Sequence, residues 1–355
     1  MIDFLVIGGG IAGVSAAARL SAMGSVTVLE QETALGYHAS GRSAALYERN
    51  YGKPSTIALN TASLQFHEDA DVLSPRGFLL VGKDGEDDAF DADRDYMQIP
   101  EIGVDEAVDL FPILDRKVIT RAAHDPAAWD IDTDLLIQTF AKIARQNGGT
   151  ITTRAQVSDI KKTDQGWAVT AADVVEARVI INAAGAWVDK IAELAGIAPL
   201  GFQPFRRSMG RIPAPGGLDV SSWPMIFGPG ETWYAKPDAG ALLVSPADQD
   251  PVEPHDAFPD DMVLAEGFAR YEAHVTEPVT RLLASWAGLR TFAPDRQLVL
   301  GPASDDNSFI WCAGQGGYGM QSSPGASQVL ADIIGGKATV VDDETLANLS
   351  PARFR

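Results

Sequence analysis

Two short apolar runs open the chain, and a helical pattern lies between them. Residues 4–7 (Phe-Leu-Val-Ile) and 26–29 (Val-Thr-Val-Leu) have the length and the branched or aromatic composition of buried strands. Residues 11–23 are rich in Ala, the strongest helix former. The pattern therefore predicts a strand, a turn, a helix and a second strand at the start of the chain.

Further along, helical and extended stretches alternate. Short apolar runs between residues 200 and 245 are separated by turn residues, which is typical of an antiparallel sheet. The pattern predicts helices at 56–70, 135–145, 260–274 and 324–334. It predicts further strands at 77–81, 150–153, 156–161, 166–170, 177–181, 208–213, 224–227, 232–236, 240–245, 285–291 and 309–313.

The turn after the first strand carries Gly8, Gly10 and Gly13 in a G-x-G-x-x-G pattern. These glycines suit a tight turn, the approach of a pyrophosphate to the backbone, and close helix–sheet packing, while the helix N-terminus attracts phosphates. Glu30, at the end of the second strand, would accept hydrogen bonds from a ribose diol and would repel a 2′-phosphate. The unit predicts a dinucleotide site; the alternative is a glycine-rich turn that binds nothing.

Three later loops have the small and polar residues of ligand sites. Ser43 is placed to cap a helix beginning at Ala44, so that Arg42 and Ser43 would form a second phosphate site; the alternative is an ordinary capped surface helix. Small residues at 183–186 follow a predicted strand and suit a ligand or tight packing. A glycine-rich loop at 314–321 follows another strand, so the chain ends as it begins.

Composition limits the partners. The 355 residues suffice for one large domain or two interleaved ones, and 48 acidic against 28 basic residues give a net charge of −20, which disfavours nucleic acid. Asp84–Asp95 is expected to be a solvated loop or helix face. With Cys312 as the single cysteine and no histidine ligand spacing, we expect no internal disulfide and no metal site. We also expect no membrane span and no signal peptide, and hence a soluble cytoplasmic protein.

Four motifs together resemble the FAD-dependent D-amino-acid oxidase superfamily: GGGIAG with Glu30, YHASGRSAA, IINAAGAW and WCAGQGGYGMQSS. Within that superfamily, the bacterial D-arginine dehydrogenases are similar over segments at 130–134, 203–208, 223–225, 233–256 and 286–292.

The resemblance implies an α/β fold in which a Rossmann-type FAD-binding domain is interleaved with an antiparallel-sheet (α+β) substrate domain. It implies that the FAD-binding domain comprises 1–45, 132–198 and 286–355. The substrate domain would then comprise 46–131 and 199–285.

The resemblance also implies FAD as the cofactor, held without a covalent bond because no cysteine lies at an attachment position. A helix N-terminus near the 314–321 loop would stabilise the negative charge of the reduced ring. The implied cofactor residues are Gly8, Gly10, Ile11, Ala12, Gly13, Glu30, Gln31, Ser40, Arg42, Ser43, Ala44, Ala45, Val157, Ala184, Gly185, Trp187, Gly316, Gly317, Tyr318, Gly319 and Gln321.

The implied reaction is oxidative deamination of a D-amino acid, with hydride transfer from Cα to flavin N5, giving an imino acid and then a 2-oxo acid and ammonia. A substrate carboxylate needs forked donors, which arginine provides. Arg290 stands alone among apolar residues on a predicted strand, and Arg207 lies in an Arg-Arg-Ser run. By resemblance, the other residues around the substrate would be Tyr51, Tyr234, Gly317 and Gln321.

Two positions depart from the D-arginine dehydrogenase pattern. Leu46 stands where those enzymes carry an active-site histidine, and Phe78 stands where they carry a glutamate that pairs with the guanidinium. Met225 would line the same pocket. An apolar wall cannot hold a cation by charge, so the sequence predicts a neutral or apolar substrate side chain.

Other functions stay open at this stage. The substrate could be a secondary amine such as sarcosine or proline, or a 2-hydroxy acid. An electron-carrying subunit of a larger flavoprotein complex would not need the paired arginines, and a nicotinamide dehydrogenase would not need the C-terminal glycine loop. The sequence leaves the electron acceptor open between a quinone, an electron carrier and oxygen.

Overall fold

The computed structural model describes residues 1–354. Aspartates cap three of the helices: Asp132, for example, accepts the Leu135 N–H at 2.9 Å. The helices are α1 (Ile11–Leu20), α2 (Pro54–Asp69), α3 (Asp87–Met97), α4 (Val104–Leu110), α5 (Thr133–Gln146), α6 (Val188–Leu194), α7 (Asp261–Glu272), α8 (Gly319–Gly335) and α9 (Asp343–Leu349).

The strands form three sheets. In chain order they are β1 (Ile2–Ile7), β2 (Val26–Leu29), β3 (Leu46–Tyr47), β4 (Leu73–Pro75), β5 (Phe78–Lys83), β6 (Glu101–Ile102), β7 (Ile119–Asp125), β8 (Trp129–Ile131), β9 (Thr150–Thr152), β10 (Asp159–Thr163), β11 (Gly166–Thr170), β12 (Val174–Asn182), β13 (Gln203–Pro213), β14 (Met225–Phe227), β15 (Tyr234–Asp238), β16 (Ala241–Ser245), β17 (Asp250–Pro251), β18 (Ala284–Phe292), β19 (Val299–Pro302) and β20 (Phe309–Ala313).

The first sheet has a parallel centre in the order β9-β2-β1-β12-β20. The strands β10, β11 and β19 add antiparallel pairings at its edges. Val6 and Val28 face the helices α1 and α8, whereas Leu5 and Ile7 pack into a second core on the other face. Both faces are therefore covered, as a parallel sheet requires.

The second sheet is almost entirely antiparallel and has nine strands, in the order β17-β13-β16-β15-β14-β5-β7-β6, with β18 on the outer side of β13. Its one parallel pair is β14 with β5. The short strands β3, β8 and β4 make the third sheet. This mixed α/β architecture confirms the predicted fold class; the boundaries of the two domains stay a prediction.

Most predicted elements are present within a few residues of their expected ends, but the last long helix is longer than predicted. The sequence places its start near Pro324, because proline is favoured only in a first turn. The helix α8 begins five residues earlier, at Gly319, and Pro324 lies inside it. Since Pro324 cannot donate to the Met320 carbonyl, the Ser323 hydroxyl does so at 3.3 Å.

The helix predicted to begin at Ala44 is wrong. Residues 39–42 form a short 3₁₀ turn, and Ser43 is extended, with φ −82° and ψ 137°. The chain then continues into β3, and Lys236 Nζ donates to the Ala45 carbonyl at 2.8 Å. This contact joins residues far apart in the sequence and holds the segment as extended chain. Because no helix begins at Ala44, the second phosphate site predicted at its N-terminus is absent from this segment.

The predicted acidic face is the helix α3, which exposes most of its carboxylates and buries Phe90 and Met97. Within residues 1–354, no helix combines the length and the apolar composition that crossing a bilayer needs.

Gly13 tests the packing of α1 against the first sheet. A Cβ added at Gly13 would lie 1.9 Å from the Gly8 carbonyl oxygen, which is backbone and cannot move freely. We expect Gly13→Ala to lower the free energy of unfolding by roughly 1–3 kcal/mol, as for other overpacked sites, measured by urea unfolding.

Gly103→Ala is the matched control, because a Cβ there meets no atom within 4 Å. It should change the free energy of unfolding by no more than about 0.5 kcal/mol. Equal stabilities of the two variants would contradict the close approach of α1 to the turn at Gly8.

Candidate active site

The carboxyl ends of four parallel strands meet at one edge of the first sheet. The turn at Gly8 follows β1, Glu30 follows β2, Ala183 follows β12 and Gly314 follows β20. Ligands of open α/β sheets bind at such an edge, because the loops leaving parallel strands diverge there. A long cleft begins at this edge and continues toward the second sheet.

The turn at Gly8 is built for close approach. Gly8 has φ +110°, and a Cβ there would lie 2.4 Å from the Ala183 carbonyl oxygen, so only glycine fits between the two strand ends. Gly10 precedes α1 in extended conformation, and the Ile11 N–H donates to the Ser40 hydroxyl oxygen at 3.0 Å. The Ser40 O–H remains available to donate, beside the positive end of the α1 dipole.

Glu30 is buried at the end of β2 and lines the cleft. Its Oε2 accepts the Gly9 N–H at 2.6 Å, and its Oε1 accepts the Glu32 N–H at 2.8 Å. Each carboxylate oxygen can accept a second hydrogen bond, so the side chain is held in place with capacity left for a ligand diol.

The cleft comprises three adjoining cavities that share lining residues. A cofactor cavity at the strand edge and a ring cavity beside it share Gly10 and Ser40, and the ring cavity and a substrate cavity share Arg207, Arg290 and Gly317. An extended dinucleotide with a ring at one end fits this continuous shape, with the ring next to the substrate cavity.

Most predicted cofactor residues line this cleft. Those lining the cofactor cavity include Gly8, Gly10, Glu30, Gln31, Ser40, Arg42, Val157, Ala184, Gly185 and Trp187. Those lining the ring cavity include Ile11, Ala12, Ser43, Ala44, Gly316, Gly317 and Gly319, and Ala45 and Tyr318 line the substrate cavity.

Gly13 packs on the Gly8 backbone, as predicted for the third glycine of the turn, and does not line the three cavities. Arg42 lines the cofactor cavity, but part of its guanidinium is already engaged: it donates to the Ala257 and Ala287 carbonyls at 2.9 Å and pairs with Asp256 at 2.5 Å.

Gln321 corrects a prediction. The resemblance implies that it faces the space between cofactor and substrate, but it is buried and lies outside the three cavities. Its Oε1 accepts the Glu48 N–H at 3.0 Å, and its Nε2 donates to the Tyr51 carbonyl at 3.3 Å. Gln321 therefore holds the segment around Tyr51 against α8.

Arg207 and Arg290 come from neighbouring antiparallel strands of the second sheet. Arg290 of β18 lies opposite Phe205 of β13, and Arg207 is two residues further along β13. Because residues two apart on a strand share a face, the two arginines are diagonal neighbours on one face. Arg206 points to the other face, where it pairs with Asp248 and Asp250 at 3.1 and 2.5 Å.

The two like charges act on each other. Arg207 is 4% exposed; burial lowers its pKa, and the positive charge of Arg290 lowers it further. Burial also acts to lower the pKa of Arg290, but Tyr51, Tyr234 and Glu231 outweigh it and raise that pKa. Among residues 1–354, the only carboxylate within 4.0 Å of either guanidinium is Glu231, at 4.0 Å from Arg207.

The two predicted tyrosines lie at this arginine pair. Burial raises the pKa of Tyr51, so its phenol stays protonated and can donate a hydrogen bond, and its ring packs edge-on against Tyr318 at 5.0 Å. The Tyr234 ring lies 5.8 Å from the Arg207 guanidinium carbon, and its hydroxyl meets Met209 Sδ at 3.5 Å. Gly317 is close to Arg290: a Cβ there would lie 2.9 Å from Cζ.

One wall of the substrate cavity is apolar. Leu46, Phe78 and Met225 all line it, as predicted, and Phe78 stacks on Phe227 with 4.3 Å between ring centroids. Met97 of α3 completes this wall.

Three acidic residues line the substrate cavity, Glu48, Asp93 and Glu231, and the sequence marks none of them as a site residue. Glu231 lies in a turn before β15, and Glu48 lies just after β3. Burial, with the nearby Asp125 carboxylate, raises the pKa of Glu48 to about 8, although the Asn50 N–H donates to its Oε1 at 2.9 Å. Glu48 is therefore protonated at neutral pH. No local pattern marks it, because Asp125 is distant in the sequence.

Glu48 makes stability depend on pH. Its folded pKa is above its unfolded value of 4.5, so the folded state binds more protons and loses stability as the pH rises from about 4.5 to about 8. Glu48→Gln, which resembles the protonated acid, should remove this loss. The variant should gain on the order of 2–4 kcal/mol relative to the parent between pH 5 and pH 9, measured by urea unfolding at each pH.

The exposed Glu176 provides the control, since Glu176→Gln should leave the pH profile unchanged. A Glu48→Gln profile parallel to that of the parent would show that the Glu48 carboxyl titrates normally.

Glu30 tests the cofactor cavity. Glu30→Ala should weaken FAD binding by at least about tenfold, because it removes charge-assisted hydrogen bonds to the ligand and frees the Gly9 loop. The measurement is the fraction of FAD kept after dialysis. Glu32→Ala is the control, since Glu32 pairs with His38 and does not line the cavity. A Glu30→Ala protein that keeps all its FAD would exclude this role.

The chain has relatives among curated proteins. It is 24% identical to "FAD-dependent oxidoreductase domain-containing protein 1" of Xenopus laevis, over 99% of this chain and 82% of that protein. A shorter match, 42% identical over 69 residues, joins 19% of this chain to 15% of the D-amino acid dehydrogenase of Xanthobacter autotrophicus.

Solved structures share the whole fold. L-proline dehydrogenase from P. horikoshii superposes with a TM-score of 0.84 at 20% identity, over 99% of this chain and 97% of that one. Glycine oxidase from Geobacillus kaustophilus gives 0.82 at 20% identity, over 98% of both chains. The model of the FAD dependent oxidoreductase family, DAO, matches residues 3–333. With a cleft that fits FAD and a family model that spans nearly the whole sequence, this chain belongs to the DAO family of FAD-dependent oxidoreductases.

Proposed function

We propose that the protein oxidises the carbon–nitrogen bond of a D-amino acid with a neutral or apolar side chain, giving an imino acid that water converts to a 2-oxo acid and ammonia. One observation carries the proposal. Arg207 and Arg290 share one sheet face where the ring cavity meets the substrate cavity, and within residues 1–354 only one weakly placed carboxylate, Glu231, lies within 4.0 Å of these two positive charges. A substrate carboxylate supplies the missing anion.

The bound FAD supplies the hydride acceptor for this chemistry. The chain's own residues hold the substrate: the arginine pair binds the carboxylate, and the Tyr51 phenol donates to it. Because Arg290 and Gly317 also line the ring cavity, a carboxylate held there brings the adjacent Cα to the mouth of that cavity. Tyr51 and Tyr318, packed edge to face, shield this position from water.

In this proposal the substrate binds as the neutral amine, so that only a hydride has to leave Cα. Within residues 1–354, no histidine lines the substrate cavity, and its acidic residues are Glu48, Asp93 and Glu231. Glu48 is protonated at neutral pH and so does not accept the amine proton.

The apolar wall supports a neutral side chain. Leu46, Phe78, Met225 and Phe227 offer no hydrogen bond or counter-charge, so a guanidinium or ammonium placed against them would lose its hydration without compensation. The short match to a D-amino acid dehydrogenase supports a D-amino acid as the substrate.

A secondary amine such as proline or sarcosine is the second candidate. Its carboxylate would use the same arginine pair. The likeness of the fold to an L-proline dehydrogenase favours this alternative. Product analysis separates the two: a D-amino acid releases ammonia with a 2-oxo acid, sarcosine releases methylamine or formaldehyde, and proline keeps its nitrogen in a cyclic imine.

Arg290→Met is the direct test of the carboxylate site. It should lower kcat/KM for the preferred amino acid, with a loss of roughly 3 kcal/mol or more of transition-state stabilisation. The reason is that one of the two arginines that bind the buried carboxylate is lost. Arg206→Met is the matched control on the same sheet, since Arg206 faces away from the cavity and pairs with Asp248 and Asp250. An unchanged kcat/KM in Arg290→Met would remove Arg290 from the site.

A further inference from the structure

Glu231 occupies an unusual position in the substrate cavity. Its side chain, 37% exposed, reaches to 4.0 Å from Arg207 Nη2, and its charge also acts on Arg290, Tyr51 and Tyr318. It lines the substrate cavity with both arginines but does not line the ring cavity. Glu231 therefore lies at the arginine pair on the side away from the cofactor.

The backbone is held in an unfavourable conformation to keep it there. Glu231 has φ +50°, in the left-handed region that residues other than glycine and asparagine rarely adopt, and it follows the left-handed Gly230 at φ +68°. Asp93 fixes the turn from α3 by accepting the Gly230 N–H at 2.6 Å, and the Thr232 hydroxyl donates to the Pro229 carbonyl at 3.1 Å. Backbone strain of this kind is common at functional sites.

The charges around the arginine pair give the reason for an acid here. Two guanidinium groups carry two positive charges, and Glu231 neutralises one of them without a close, bidentate contact. The remaining positive charge matches one substrate carboxylate. A ligand with two negative charges near the pair would overbalance it, and its second carboxylate would face Glu231 across a short, partly desolvated space.

We propose that Glu231 is a specificity-determining residue that restricts the site to ligands with one carboxylate and excludes dicarboxylic ones. This inference rests on the proposed function, in which the arginine pair binds the substrate carboxylate. Glu231 takes no part in the chemical step. It sets the charge that the head-group site accepts, while the apolar wall sets the nature of the side chain.

The test is anion binding to the FAD-loaded enzyme without turnover. Propionate, succinate and neutral propionamide are titrated separately, and the perturbation of the flavin absorbance gives each Kd. In Glu231→Gln, propionate should bind about threefold more tightly and succinate about tenfold more tightly, because the repulsion removed scales with ligand charge. Propionamide should bind as in the parent, and added salt should shrink both changes.

Two further variants keep the result interpretable. Glu231→Asn removes the charge with a residue that tolerates the left-handed conformation, and it should show the same order of effects. Glu266→Gln removes an acid that also lies 4.0 Å from an arginine, Arg270, but on the exposed helix α7 outside the cavity, and it should change no Kd.

The outcomes separate this inference from the proposed function. If propionate binds but the Kd ratio of succinate to propionate is the same in Glu231→Gln as in the parent, the role of Glu231 is refuted and the arginine site stands. If neither anion perturbs the flavin in the parent or the variants, both the arginine site and the role of Glu231 are overturned.

Discussion

The structure around the active site depends on two positive charges placed on one face of a sheet. Arg207 is almost fully buried, and Arg290 lies diagonally across from it on the neighbouring strand. Arg207 carries the cost of this arrangement in the free enzyme, because its guanidinium is desolvated and is repelled by Arg290. Binding of an anion relieves both effects at once. A carboxylate therefore binds favourably, because it offsets an unfavourable interaction between the guanidinium groups that is already present in the folded protein.

Arg290 also lies at a contact between the first and the second sheet. β18 brings Arg290 from the second sheet to the loop that follows β20 of the first sheet, where Gly317 leaves room for the guanidinium. Fixing the carboxylate at this contact fixes the distance from the substrate to the ring cavity. Neighbouring residues then adjust the site: Gln321 and Lys236 hold the chain segments on which Tyr51 and the ring cavity depend. Their effect on the substrate is indirect, through the position of the backbone.

Features set by local sequence could be predicted, and features set by distant neighbours could not. The glycine turn, α1 and Glu30 follow from thirty consecutive residues and match the structure. Strand alternation shows that Arg206 and Arg207 face opposite ways, but the register with β18 decides which one enters the site. Similarly, the sequence around Arg42 does not show that Asp256, more than two hundred residues away, pairs with its guanidinium.

The central claim is that the substrate is held by its carboxylate. It is tested most directly by anaerobic mixing of the FAD-loaded enzyme with matched pairs of amines that differ only in that group: D-methionine against 3-(methylthio)propylamine, and D-phenylalanine against phenethylamine. The account predicts that a neutral D-amino acid bleaches the yellow flavin and that its decarboxylated partner does so at least about a hundredfold more slowly, on the scale of losing a buried charge pair. Equal bleaching rates within a pair would contradict the account, because the arginine pair would then contribute nothing to holding the substrate.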